Sequence, residues 1–244
     1  MKVYGLIGKT LSHSFSKKYF SQKFQREQID NCIYQNFEIE DLELQIPLLK
    51  ANAELCGLNI TIPYKTEIFP FLDQFTTECK ELNACNCIKI ESGKWIGYNT
   101  DVAGFQNSFA AHLRPHHTKA LVLGTGGASK AVTFVLRKLG ISFLEVTRDK
   151  TKVPSAITYD DISKEMLAEY TIVINTTPLG MFPNVDAYPK IPYRFITDKH
   201  YFFDLIYNPA KTLFLARAED KGAIIKNGEN MLIIQAEESW KIWR

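Results

Sequence analysis

TKALVLGTGGASKAVTFVLRKLG, Thr118–Gly140, decides the fold. Thr118 to Leu123 alternates and then runs apolar, the pattern of a buried parallel strand. Gly124, Gly126 and Gly127 follow, and from Ala128 to Leu139 apolar residues recur at helical spacing. Strand, tight glycine turn and helix form the context in which a glycine fingerprint marks a dinucleotide site. Glycine is needed there because the turn opens the backbone, and because a Cβ would hold a pyrophosphate off the helix N-terminus. The spacing departs from G-x-G-x-x-G: Lys130 is too large for the third, close-packing position, whereas Ala131 beside it is not. A glycine turn serving only tight helix–strand packing is the competing reading.

Downstream, Ile141 to Val146 reads as a second strand, ending about twenty residues past the glycines, where such folds read the ribose. An Asp or Glu there holds a 2′-hydroxyl; this chain has Thr147-Arg148. Arg148 suits a 2′-phosphate, with Lys150 or Lys152 as a second positive charge, which points to NADP. Glu145 is expected to point the same way as Thr147, and a register offset by two would reverse the preference. A solvated basic loop is the alternative for Arg148. Further on, a short helix over Ser163–Glu169 and strands over Thr171–Asn175, Tyr201–Ile206 and Ala223–Ile225 complete the pattern, with a helix over Thr212–Asp220. Thr176 opens the turn after Asn175, a candidate roof over a nicotinamide. A final amphipathic helix runs to Trp243, with Trp240 and Trp243 as its packing face.

Upstream, strands at Lys2–Ile7, Cys32–Ile39 and Leu58–Ile62 alternate with helices at about 17–28 and Ile39–Leu49. A short helix over Glu78–Leu82 and a hairpin about Ser92-Gly93, with arms Asn83–Ile90 and Lys94–Tyr98, follow. This hundred residues carries no glycine fingerprint and reads as an α/β domain of its own. The polar turn Gly8–Ser16 gathers His13, Ser14 and Ser16; either serine can cap the helix behind it, and capping alone accounts for one of them. Pro63 forces a sharp exit from the Leu58–Ile62 strand, so Lys65 falls just past a strand end, where parallel folds put their chemistry. Asn99-Thr100-Asp101 opens a helix to about Leu113, and Asp101 suits either a cap or a cleft between domains. The expected division is residues 1–100 plus the last helix, about 232–244, as substrate domain, and 101–231 as dinucleotide domain.

At 244 residues the chain can bury a core and form two modest domains. A net charge of +2 with mixed signs shows no nucleic-acid stripe and leaves an anionic small substrate open. Cys32, Cys56, Cys79, Cys85 and Cys87 are odd in number and fit neither a disulfide framework nor a metal spacing, so they read as reduced. Val3–Ile7 is too short for a secretory segment, and no apolar run spans a membrane. A cytoplasmic protein is expected, with no metal and no nucleic-acid or membrane partner.

The ordered set resembles the shikimate dehydrogenase family over nearly the whole chain. The matching stretches are Gly8–Ser16, Asn59–Lys65, Asn86, Asn99–Asp101, Gly124–Ala128, Thr147–Asp149, Asn175–Met181, Asp204–Pro209 and Gly228–Gln235. The resemblance implies two α/β domains, one Rossmann-type with a parallel sheet, and a last helix returning to the first. It implies NADPH-dependent reduction of 3-dehydroshikimate to shikimate by a monomer or homodimer. Lys65 and Asp101 match the catalytic positions. Ser14, Ser16, Asn59, Thr61, Asn86, Tyr207 and Gln235 match substrate positions. Gly124, Gly126, Gly127, Ala128, Thr147, Arg148, Thr176, Gly228 and Met231 match cofactor positions, and Lys152 joins them on its charge. The chain departs from the family pattern at Lys17, at Asp101-Val102-Ala103-Gly104, and at Thr147 and Asp149 in the phosphate triad. A relative preferring quinate or NAD is the nearest alternative; a dinucleotide-binding sensor without catalysis is the one from another class.

Overall fold

The computed structural model describes residues 1–12, 14–151 and 153–244. Internal contacts divide the chain into a first unit, Met1–Thr100 with Ala236–Arg244, and a second, Asp101–Gln235.

The first unit runs β1 (Lys2–Gly8), α1 (Phe15–Arg26), β2 (Cys32–Glu38), α2 (Leu42–Lys50), β3 (Leu55–Ile60), β4 (Gln74–Phe75), α3 (Thr77–Leu82), β5 (Cys87–Glu91) and β6 (Lys94–Tyr98). These make a mixed sheet in the order β2-β1-β3-β5-β6-β4. β1 lies parallel to β2 and β3, and β5 runs antiparallel to β3 and β6. The second unit runs α4 (Asp101–Ala110), β7 (Lys119–Leu123), α5 (Gly127–Lys138), β8 (Ser142–Thr147), β9 (Ile157–Thr158), α6 (Lys164–Glu169), β10 (Ile172–Asn175), β11 (Tyr201–Asp204), α7 (Leu213–Glu219), β12 (Ile224–Lys226) and α8 (Glu229–Trp243). Its sheet is parallel throughout, in the order β12-β11-β10-β7-β8-β9. That is two three-strand halves meeting at β7 and β10, the doubly wound order of a Rossmann fold. The α/β class read from the sequence is the class observed.

The apolar runs became the central strands because only burial on both faces removes that much hydrocarbon from water. Ala120 to Leu123 and Ile172 to Ile174 are fully buried. Several boundaries moved. β3 begins at Leu55 and ends at Ile60, because Leu55 and Gly57 to Ile60 pair with β1 while Ile62 turns out to solvent. α2 begins at Leu42, because the Asp41 carboxylate accepts the N–H groups of Glu43 and Leu44 and Ile39 is buried ahead of the cap. α4 stops at Ala110, where the next bonds span three residues, from His112 to Phe109 and from Leu113 to Ala110. β4 and β9 are two-residue edge strands, too short to carry any periodicity.

Residues Ala236–Trp243 of α8 belong to the first unit. Trp240 and Trp243 are buried with Tyr4, Phe20, Phe24 and Tyr34. The Trp243 ring stacks on Tyr4 at 5.0 Å, and its Nε1 donates to the Ile88 carbonyl at 2.9 Å. Lys23 of α1 is buried and paired at 2.9 Å with both Glu27 and Glu237, while Tyr19 donates to Glu237. Two carboxylates around one buried ammonium meet the condition that makes burying it tolerable. Among the described residues, no helix is long and apolar enough to cross a membrane.

Gly57 is where β3 and α8 come closest. A Cβ there would lie 2.3 Å from Trp243 Cδ1, and the ring is backed by Tyr4. Gly57→Ala is therefore expected to destabilise the first unit by about 1–3 kcal/mol. A urea unfolding midpoint equal to wild type would show that α8 yields without cost.

Candidate functional site

In the first unit the chemistry-bearing residues gather at one edge of the sheet. β1 and β3 are parallel neighbours, so the loop after β1 and the turn after β3 leave at the same edge. β5 starts there too, since Cys87 pairs with Asn59. The first loop ends on Ser14, Ser16 stands in the first turn of α1, the turn after β3 carries Thr61 and Lys65, and Asn86 precedes β5. A Cβ on Gly8 would lie 2.7 Å from Thr61 Cγ2, so the end of β1, where the serine loop begins, packs closely on that turn. Ser14 is the helix cap, its Oγ accepting the Lys17 N–H at 3.2 Å. Ser16 lies beside the Tyr34 hydroxyl. Lys65 is half-buried in a turn, not a helix. Its backbone is fixed by the Cys85 N–H, which donates to its carbonyl at 2.7 Å. The Tyr64 hydroxyl on the Ile39 carbonyl holds the turn below it.

Asn59 is only 6% exposed, and its amide faces inward. Oδ1 accepts the Tyr34 hydroxyl at 2.8 Å; Nδ2 donates to the Asn86 carbonyl at 3.2 Å and to Ser239 Oγ at 2.9 Å. The sequence matched Asn59 to a substrate position; in the structure its polar atoms bond other parts of the fold. Asn86 Oδ1 accepts the Thr100 N–H at 2.6 Å, and Asn99 Nδ2 donates to the Ala84 carbonyl at 2.8 Å. The segment before Asp101 is thus held from both sides.

In the second unit Asp101 is the first residue of α4 and is half-buried. A Cβ on Gly104 would lie 2.7 Å from the Met231 carbonyl oxygen and 3.1 Å from Gln235 Cβ. Met231 and Gln235 therefore lie against the first turn of α4. Gly228 opens α8 where a Cβ would fall 2.1 Å from the Leu205 carbonyl oxygen. Tyr207 is exposed in the turn after β11.

A cavity of about 380 Å³ lies where β7, β8 and β10 end, the switch point of the sheet. Gly124 and Gly126 line one side, Val146 to Asp149 another, and Thr176 to Leu179 the third. Gly124 has φ +107°, and a Cβ on it would meet Thr176 Oγ1 at 2.8 Å, so both conformation and space demand glycine. A Cβ on Gly126 or Gly127 would meet nothing within 4 Å. That leaves room over the N-terminus of α5, whose cap residue Gly126 offers no side chain to its first N–H groups. Such a cradle, with Ala128 in its first turn, fits a pyrophosphate.

Arg148 lines the cavity; Glu145 does not. The Asp149 Oδ1 accepts the Thr151 N–H and hydroxyl at 3.0 and 2.6 Å, while the Thr147 hydroxyl accepts the Asp149 N–H at 3.2 Å. Lys150 is paired at 3.0 Å with Asp161, whose carboxyl the Thr158 N–H and then Lys150 hold down to about 2. Lys152 and His13 lie outside the described residues. The donor set fits a dinucleotide with an extra phosphate on its adenosine ribose. Sequence reasoning missed Tyr159, which also lines the cavity and whose phenol burial pushes up. It follows a two-residue strand, so no pattern announced it.

Under the Thr176–Leu179 turn lies a buried polar cluster. Asn175 Oδ1 accepts the Thr177 N–H and hydroxyl at 3.0 and 2.7 Å, and Nδ2 donates to Asp204 Oδ1 at 3.0 Å. Asp204 also accepts the Ile206 N–H at 3.1 Å and the Thr212 hydroxyl at 2.6 Å. Burial pushes the Asp204 carboxyl up to about 6, against the pull of these three donors.

Sheet order, glycine turn and a basic residue at the second strand end together define a Rossmann-type dinucleotide-binding protein with an additional α/β unit. The family model for the shikimate dehydrogenase substrate binding domain matches residues 6–88. The shikimate dehydrogenase (NADP(+)) of Caldicellulosiruptor bescii is 38% identical over 100% of this chain and 89% of its own. Shikimate dehydrogenase from Aquifex aeolicus superposes with a TM-score of 0.87 at 33% identity, over 100% of this chain and 92% of that one. The enzyme from Thermus thermophilus, solved with NADP(H) and shikimate, gives 0.86 at 26% identity, over 100% and 93%. The chain belongs to the shikimate dehydrogenase family.

Asp204 makes stability depend on pH. Unfolded, its carboxyl returns to its ordinary value of 3.8; folded, it ionises near 6. Between those values the folded chain keeps a proton that the unfolded chain has lost, so this residue's contribution falls as pH rises from about 4 to 6 and is level above. The loss is on the order of 2–3 kcal/mol. Asp204→Asn should flatten the urea midpoint between pH 4 and 7 relative to wild type; parallel curves would show that Asp204 ionises normally.

Proposed function

We propose that the chain reduces 3-dehydroshikimate to shikimate reversibly with NADPH, in the pathway leading to chorismate and the aromatic amino acids. The observation that carries this is the full-length match to NADP-dependent shikimate dehydrogenases, with the site features of both units present in one chain. NADPH, when bound, supplies the hydride. The Gly124–Ala128 cradle takes its pyrophosphate, Thr147 and Arg148 its 2′-phosphate, and Thr176, Gly228 and Met231 the nicotinamide side.

Hydride arrival turns a flat ketone into an alkoxide, whose charge must be met and then protonated. Lys65 Nζ meets that oxygen and delivers the proton; in the oxidative direction it takes the proton back. Asp101 orients the ammonium and accepts a hydrogen bond from a substrate hydroxyl. Ser14, Ser16 and Tyr207 hold the substrate carboxylate, and Thr61, Asn86 and Gln235 read the ring oxygens. Asn59, bonded to three partners inside the fold, shapes that set. Buried donors and acceptors of this kind reject a substrate lacking a hydroxyl, because they would be left unpaired. The reading includes a cytoplasmic enzyme, monomeric or homodimeric; five free thiols suit a reducing compartment.

An absorbance assay offering shikimate or quinate with NADP or NAD tests the reading directly, and a clear preference for quinate with NAD overturns it. Lys65→Ala should lower kcat by about a hundredfold or more while moving the Kd for NADPH less than about twofold. Equal losses in both would remove the proton-transfer role. Arg148→Ala should weaken NADPH by about ten- to a hundredfold and leave NADH nearly unchanged. An unaltered ratio between the two cofactors would end the phosphate-clamp role.

A further inference from the structure

Three buried hydroxyls in the first unit join side chains that the proposed function places at the substrate. Tyr34 is 4% exposed, and its ring stacks on Phe20 at 4.6 Å. Its hydroxyl lies beside Ser16 on one side and donates to Asn59 Oδ1 at 2.8 Å on the other. Asn59 Nδ2 donates to Ser239 Oγ at 2.9 Å. Ser239, fully buried on α8, lies 3.3 Å from Thr100 Oγ1. Thr100 closes the chain on Asn86, whose Nδ2 donates to Thr100 Oγ1 at 3.1 Å. The path Ser16–Tyr34–Asn59–Ser239–Thr100–Asn86 starts and ends on substrate-reading side chains, and its fifth member immediately precedes Asp101.

Satisfying buried polar atoms does not by itself account for this arrangement. A pocket of apolar side chains in place of Tyr34, Asn59 and Ser239 would be about as stable, since exchanging both partners of a buried hydrogen bond for hydrocarbon is nearly neutral. The four links from Tyr34 to Asn86 are side-chain to side-chain hydrogen bonds, the scarcest kind in folded proteins. One of them couples residues 180 positions apart in sequence, Asn59 and Ser239. Such a network fixes one rotamer at each member, because turning any one of them strands a buried donor or acceptor.

We infer that Tyr34 and Ser239 are positioning residues of the reductase: their hydroxyls, acting through Asn59 and Thr100, hold Ser16 and Asn86 in the geometry that receives the substrate. The inference rests on the proposed shikimate chemistry. Neither residue touches the substrate, so their loss acts on substrate affinity and leaves the cofactor alone.

The test is steady-state kinetics on Tyr34→Phe, Ser239→Ala and the double variant, with wild type in the same assay. Each single change is expected to raise the KM for shikimate about tenfold and to move the KM for NADP less than about twofold. Because both act through Asn59, the double variant should fall well short of the roughly hundredfold rise of independent sites. A lowered melting temperature with an unchanged shikimate KM would make the hydroxyls structural and overturn the inference. Full additivity would overturn the connected path. If one variant does not fold, the other single variant still decides the KM. Wild type that turns over no shikimate would overturn the proposed function, and this inference with it; wild-type turnover with unmoved variants overturns the inference alone.

Discussion

A polar side chain buried where a parallel strand ends has no water to bond, so it must be met by the protein itself. Each unit is organised around one asparagine in that position. Asn59, next to the last residue of β3, binds Tyr34 of β2, the Asn86 carbonyl at the start of β5, and Ser239 of α8. Asn175, the last residue of β10, binds Thr177 in the turn that follows and Asp204 at the end of β11. An amide supplies donors and an acceptor at once, so it can stitch three segments where a hydroxyl would manage fewer. The loops that carry the candidate residues are therefore anchored at their roots.

The first unit is completed by the far end of the chain. Trp240 and Trp243 bring large apolar area to a cluster that draws mainly on β1, α1 and β2, with Leu11 and Cys87 beside them. Polar ties add direction to that non-directional force: the Trp243 Nε1 on Ile88, and Glu237 shared between Lys23 and Tyr19. α1 follows directly on the serine loop, so the same contacts that dock α8 also settle where that loop ends.

At the dinucleotide cavity the chemistry is electrostatic and spatial together. The glycines leave α5 with open N–H groups, which favour negative charge. Arg148 adds a cation to the cavity wall at the end of β8. Two nearby groups that would weaken or compete with it are engaged elsewhere: Asp149 with Thr151, and Lys150 with Asp161. That local pairing answers the departure from the family's phosphate triad, since a carboxylate turned to its own loop opposes a phosphate less than one aimed at it.

The amino-acid sequence by itself determined the α/β class, the glycine turn, the basic end of β8 and the placing of Lys65 just past a strand. Each of these is local: a period, a turn or a spacing within a few residues. It left Glu145 and Arg148 in competition, and it left open whether Ser14 or Ser16 was the cap. Those choices turned on which way a side chain points, and only the tertiary structure decided them, by making Ser14 the cap of α1 and leaving Glu145 off the cavity wall. Tyr34, Ser239 and Tyr159 carry no motif of their own, and Asp204 entered only as the start of a matching stretch. Their roles come from partners at other places in the chain, and contact between distant residues is set by packing, which no window along the sequence contains.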